Sequence, residues 1–175
     1  MVPTAKELQS TGQLSVFSFG QGSFTATPLQ ITAMMNTIAA GGTYRTPRFC
    51  YGITDDDGTV TEKFQLPAPR TVCDAATAKV LRSMLQSVVE DGIGYAAKPT
   101  GGTAAGKTGT AQTGQFDAAG DELLNYWFSG FIPAGDPQYT ITVLQDGVLE
   151  PETSSAAIFA QIAAGLQVIE QSAPN

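Results

Sequence analysis

Between residues 101 and 110, one lysine belongs to two overlapping strings that call for different chemistry. Gly101 to Thr108 reads GGTAAGKT, a full match to the phosphate-cradling pattern G-x-x-x-x-G-K-[ST]. Lys107 to Thr110 reads KTGT, which contains the K-T-G pattern of serine acyl transfer. In the first, Lys107 opens a helix and meets a phosphate. In the second it lies on a strand and meets a carboxylate.

A phosphate loop needs a buried strand before it and a helix after it, so that backbone N–H groups at the helix start face the anion. The sequence offers neither. GYAAKPTGG precedes the motif, and Pro99 argues against a buried strand. GTAQTGQFDAAG follows, with glycines at 109, 114 and 120 and little apolar period. Each interior glycine costs a helix about 0.8–1.0 kcal/mol relative to alanine. ITVLQD, an apolar run ending in an acid, is interrupted at Gln145 and reads as a strand running into a turn.

The strand reading fits the context. With a period of two, Lys107 and Gly109 share one face and Thr108 and Thr110 the other. Gly109 lets a ligand approach the backbone, as glycine in a strand often does. Lys107 adds positive charge, the threonines add hydroxyl donors, and unpaired N–H groups on a sheet edge can face an oxyanion. That set suits a carboxylate-bearing substrate undergoing acyl transfer. A bare K-T-G tripeptide recurs by chance, so its neighbours must carry the assignment.

Those neighbours form the following elements. Residues 1–26 are rich in Gly, Ser, Thr and Gln without a clear period and read as loop with short pieces of structure. TPLQITAMMNTIAAGG predicts a helix: Thr27 caps it, Pro28 takes the first position, Gln30 completes a capping box and Gly41 stops it. Ile31, Met34, Met35 and Ile38 form its apolar stripe. RFCYGITDDDGTVTEKFQL predicts a hairpin turning at Asp57-Gly58. Its aspartates lack the alternating spacing and distal glutamate of a calcium loop and read as a solvated turn.

Asp74 caps a second predicted helix ending near Glu90, with Val80, Leu81, Met84, Leu85, Val88 and Val89 as its stripe. A loop runs from there through residue 102. AAGKTGTAQ, YWFSGFIP and YTITVLQ are strand candidates, the last two joined by AGDP. A final helix spans about Ser154 to Gln171, burying Ile158, Phe159, Ile162, Leu166 and Ile169.

Composition bounds the function classes. The 175 residues suit one domain with a real core, 42% hydrophobic and 14% charged. A net charge of −7 argues against a nucleic-acid partner and fits simple solubility. The chain has no histidine, which excludes a Ser-His-Asp or Cys-His site within it and argues against zinc. Cys50 and Cys73 have no metal-ligand spacing; pairing and separate thiols both stay open. No apolar run approaches the ~20 residues that span a bilayer, and no signal segment opens the chain.

SFGQG (Ser18 to Gly22), TATPLQ (Thr25 to Gln30), AGKTGTAQ (Ala105 to Gln112) and YWFSGFIP (Tyr126 to Pro133) occur in this order. From about residue 15 to 168, the chain resembles the C-terminal half of the transpeptidase domain of class B, monofunctional penicillin-binding proteins. Bifunctional penicillin-binding proteins and serine β-lactamases fit less well. The resemblance implies an α/β (α+β) fold of the serine β-lactamase and penicillin-binding transpeptidase type. In that fold an antiparallel sheet is flanked by helices, and the K-T-G strand borders the active site.

The resemblance also implies roles. Lys107 would hold the substrate or β-lactam carboxylate, with hydroxyls from Thr108 and Thr110. Gly109 would give clearance, and the Thr110 backbone N–H would be half of the oxyanion hole. Trp127 is expected to be core packing. The family's S-x-x-K nucleophile and S-x-N element are missing: none of the ten serines has lysine three residues later. Residues 1–175 are therefore expected to be a C-terminal fragment of the domain, inactive alone and lacking the nucleophile half. No cofactor or metal is expected.

The implied partners are peptidoglycan stem peptides ending in D-Ala-D-Ala, β-lactams and the missing half. A homo-oligomer through exposed apolar surface is a further expectation. The implied place is the extracytoplasmic face of the bacterial membrane, in cell division or cell shape. A non-catalytic binding or scaffolding module of the same fold stays open as a second function class.

Overall fold

The structure, a computed structural model, describes residues 3–22 and 24–172. The first helix, α1 (Thr11–Ser18), lies where mostly loop was expected. Gly12 and a weak apolar period hide it, but Ser10 and Gln13 form a reciprocal capping box that the S-x-x-Q spacing encodes. The next helix, α2 (Pro28–Ala39), starts as its sequence predicts. The Thr27 hydroxyl accepts from the Gln30 N–H at 3.2 Å, and the Gln30 carboxamide oxygen accepts from the Thr27 N–H at 2.9 Å.

Four short strands follow: β1 (Thr43–Tyr44), β2 (Gly52–Thr54), β3 (Val60–Lys63) and β4 (Arg70–Thr71). They form two small antiparallel ribbons, β1 with β4 and β2 with β3. The predicted turn joins β2 to β3: Asp55 accepts the N–H groups of Asp57 and Thr59, and Gly58 takes φ +81°. Helix α3 (Ala75–Glu90) begins where the Asp74 carboxylate accepts the Thr77 N–H at 2.7 Å. A 3₁₀ turn, Tyr95–Ala97, interrupts the segment expected to be loop.

The main sheet is antiparallel in the order β5-β6-β7, built from β5 (Ala105–Phe116), β6 (Glu122–Ile132) and β7 (Tyr139–Val148). Strand β5 continues past Gln112, where the strand candidate AAGKTGTAQ ends, to Phe116. A register shift between Gln112 and Gln115 absorbs the residues between them, with Gly114 at φ +68° and its N–H held by Glu122 at 3.2 Å. Helix α4 (Ser155–Ser172) closes the described chain.

Helices cover both faces of this sheet. On one, Met35 and Ala39 of α2 pack with Ala105, Phe131 and Ala134. On the other, Phe159 and Ala163 of α4 pack with Phe128, Ile132 and Val143. The Phe128 and Phe159 rings meet at 4.7 Å between centroids. Helix α3 crosses the start of the sheet and joins both clusters, Leu85 in the first and Val89 in the second. Arg82 fixes the β6–β7 turn through the carbonyls of Ala134 and Gly135.

The predicted apolar stripes are wider than the faces that the sheet covers. Met34 of α2, Val80 and Met84 of α3, and Ile162 and Ile169 of α4 are exposed. Alanines set the contact lines instead: Ala33 and Ala39, Ala78, and Ala156 and Ala163 are buried. Small side chains let each helix sit close to its neighbours; Met35, Val89 and Phe159 of the predicted stripes are buried with them, and the others named turn outward. Cys50 and Cys73 are both free thiols, the first exposed and the second half-buried.

Candidate active site

Strand β5 lies at the edge of its sheet, and among the described residues no strand pairs with its outer side. The register places Lys107 opposite Ser129, Gly109 opposite Trp127 and Thr110 opposite Tyr126. Alternation puts Lys107, Gly109, Ser129 and Trp127 on the α2 face, and Thr108 and Thr110 on the α4 face. The α2 face is tied down by hydroxyls. Thr32 of α2 meets Thr142 of β7 at 2.7 Å, and Thr142 meets Ser129 at 2.7 Å.

A cleft of about 580 Å³ opens on that face. One wall is the α1–α2 connection, including Phe19, Gln21 and Phe24; the other is β5 from Gly109 onward, with Trp127 behind it. Trp127 is therefore a half-buried cleft wall, where core packing was expected. Its partner across the strands is a glycine, which places no side chain beside it on β5. Asp146 is the only ionisable side chain among the described residues lining the cleft.

The predicted site residues divide around this cleft. Gly109 and Thr110 line it; Lys107 and Thr108 do not. The Lys107 ammonium donates to the Thr108 carbonyl at 3.0 Å and to the Thr108 hydroxyl at 3.1 Å. Among the described residues no carboxylate pairs with it; the ion pair they form is Lys98 with Glu90 at 2.7 Å. Lys107 thus stays on the strand edge, next to a hydroxyl, with its charge unmatched.

Backbone direction follows from these contacts. Gln21 donates its carboxamide N–H to the Thr110 carbonyl at 3.1 Å, so that carbonyl points away from β6. A strand residue's N–H and C=O leave on the same side, because opposite residues in an antiparallel pair exchange both bonds or neither. The Thr110 N–H therefore also points outward, and so does that of Thr108, whose carbonyl receives Lys107. The edge offers outward N–H donors beside a cation and a hydroxyl. The sequence shows the residue types, but not which N–H groups face out; that depends on register.

The glycines of this region differ in what surrounds them. A Cβ at Gly106 would lie 2.7 Å from the Phe128 ring and 2.7 Å from the Ser129 carbonyl oxygen. A Cβ at Gly130 would lie 2.5 Å from the Ala105 carbonyl oxygen. Both permit close packing. At Gly109 a Cβ would meet only Trp127, at 3.5 Å from its Cβ. Because Gly106 leads into a strand and not a helix, the anion-cradling geometry of a phosphate loop is not formed at residues 101–108.

Comparison with known proteins agrees with this architecture. The family described as penicillin binding protein transpeptidase domain matches residues 4–164. Penicillin-binding protein PbpB of Mycolicibacterium smegmatis is 37% identical over 173 residues, covering 90% of this chain and 26% of the relative. Stage V sporulation protein D of Bacillus subtilis is 36% identical over 130 residues, 74% of this chain and 20% of the relative. Among solved structures, penicillin binding protein 3 of Mycobacterium tuberculosis complexed with aztreonam aligns with a TM-score of 0.82. It is 31% identical, and the alignment covers 100% of this chain and 42% of that one. The same protein complexed with ampicillin gives a TM-score of 0.81. The chain spans about a quarter of the length of these curated relatives.

Proposed function

Because the chain belongs to the penicillin-binding protein transpeptidase family, we infer that it supplies the carboxylate-binding and oxyanion wall of a serine D,D-transpeptidase. The observation that carries this is the outward Thr110 N–H at the cleft, one residue beyond a glycine that leaves the backbone approachable. An N–H held in place before charge develops stabilises an oxyanion without reorganising, and such donors are typically worth ~10²–10³ in rate.

In the proposed reaction a serine of an upstream S-x-x-K segment attacks the carbonyl between the two terminal D-alanines of a stem peptide. The serine C–O bond forms, the peptide C–N bond breaks, and the last D-alanine leaves with a proton on its nitrogen. An amine of a second stem peptide then displaces the serine ester. A β-lactam is attacked in the same way, but its amine remains attached and the ester persists. Lys107, with the hydroxyls of Thr108 and Thr110, binds the carboxylate that both ligands carry. Thr110 N–H receives the carbonyl oxygen as it becomes negative.

On this reading residues 1–175 form the C-terminal part of the domain and do not acylate alone. The partners are stem peptides, β-lactams and the upstream half of the domain, and the role is septal or elongation cross-linking. The work is done on the extracytoplasmic face of the membrane. Among the described residues no helix is long and apolar enough to cross a membrane.

Lys107→Ala in the longer protein tests the reading. Its second-order rate constant for acylation by a fluorescent penicillin should fall about 10- to 100-fold, the usual worth of a charged hydrogen bond. An unchanged rate would remove Lys107 from the site.

A further inference from the structure

We propose that Gln21 is a positioning residue for acyl transfer: by holding the Thr110 carbonyl from the outer side, it fixes where Thr110, and with it the outward N–H, sits at the edge of the cleft. The proposal rests on the transpeptidase reading above. Its basis is a single contact that joins the two walls of the cleft. The Gln21 carboxamide crosses from the α1–α2 connection to donate to the Thr110 carbonyl at 3.1 Å, bridging 89 residues of sequence. Both residues line the cleft.

The need for such a contact follows from the strand itself. Thr110 is not hydrogen-bonded to Tyr126 on β6: its N–H belongs to the Gly109–Thr110 peptide, whose carbonyl turns in to β6, while its own carbonyl turns out and is held by Gln21. The residue before it is Gly109, the least restricted backbone in the strand. Rotation at Gly109 and Thr110 twists the strand edge and tilts the Thr110 N–H with it. Gln21 opposes that rotation from the outer side. It also satisfies the Thr110 carbonyl, so a ligand entering the edge meets the N–H and not a competing acceptor. Misplacement of a reacting group by about 1 Å can cost ~10² in rate, so loosening this edge should be felt in the chemical step.

Two substitutions separate this role from simple packing. Gln21→Ala removes the side chain. Gln21→Glu keeps its shape, but at neutral pH it sets an acceptor against the Thr110 carbonyl. In the longer protein, stopped-flow acylation by a penicillin resolves the noncovalent dissociation constant from the acylation rate constant. Both variants should lower the acylation rate constant about tenfold, with dissociation constants and melting midpoints close to wild type. Relative to wild type, Gln21→Glu should recover as pH falls and its carboxyl becomes a donor.

If Gln21→Glu acylates like wild type, the side chain only fills space and the proposal fails. If the loss lies in the dissociation constant, Gln21 touches ligand and does not act through Thr110, which also overturns it. Failure of wild type itself to acylate would overturn the transpeptidase reading and this proposal together. Normal wild-type acylation with two unaffected variants overturns this proposal alone.

Discussion

Gly109 faces Trp127 directly across β5 and β6, and a methyl group added at residue 109 would come no closer than 3.5 Å to the Trp127 Cβ. That is ordinary contact distance, so the fold does not require glycine there. Three residues earlier the opposite holds: a Cβ at Gly106 would press into the Phe128 ring and the Ser129 carbonyl at 2.7 Å.

The two positions should therefore respond differently to alanine. In the longer protein Gly109→Ala should keep its melting midpoint but lower penicillin acylation, because on the proposed reading the methyl would stand where ligand approaches the strand. Gly106→Ala should lose about 1–3 kcal/mol of stability through overpacking. Urea unfolding and acylation rates, measured on both variants, check the pair. Equal stability losses would show that Gly109 is packed as tightly as Gly106.

Helix α4 offers a second contrast. Phe159 is wholly buried against Phe128, whereas Ile162, on the predicted stripe, is 42% exposed. Phe159→Ala should cost about 3–5 kcal/mol, and Ile162→Ala well under half of that. Equilibrium denaturation of the two variants decides whether the alanine contact line or the wider stripe describes the buried face.

The α3 cap gives a pH dependence with a definite sign. Backbone and side-chain hydrogen bonding to Thr77 holds the Asp74 carboxyl below its usual value. A carboxylate with a depressed folded pKa contributes stability above its unfolded value, which lies near ~3.9. That contribution is lost as pH falls through the lower folded value. The difference in unfolding free energy between wild type and Asp74→Asn should be flat from neutral pH to about pH 5. Below about pH 4 it should shift against wild type. A difference that stays constant down to pH 2 would mean Asp74 titrates alike in both states.

These cases show what a single sequence could carry. Local signals were legible: Thr27 with Gln30, Asp74, and Asp57-Gly58 each act within a few residues, and the structure uses each as its spacing implies. Ser10 with Gln13 was equally local but lay in a segment without apolar period. Features set by distant partners were harder to read. Which of Met34, Met35, Val80, Leu81, Ile158 and Ile162 is buried depends on where the sheet lies. The extent of β5 depends on Glu122 holding Gly114 from the facing strand. At the site, the motif named Lys107 to Thr110. The cleft position of Trp127 and the crossing of Gln21 to Thr110 required register and three-dimensional approach.

Mapping of a penicillin adduct tests the central claim most directly: the β5 edge from Lys107 to Thr110 serves a site whose nucleophile lies outside residues 1–175. Intact-mass and peptide mass spectrometry would be run after penicillin exposure on this chain and on the longer protein that contains it. One covalent adduct is expected on the longer protein, on a serine of an upstream S-x-x-K segment, and none on residues 1–175 alone. An adduct on a serine within residues 1–175, or an unmodified longer protein, would contradict it.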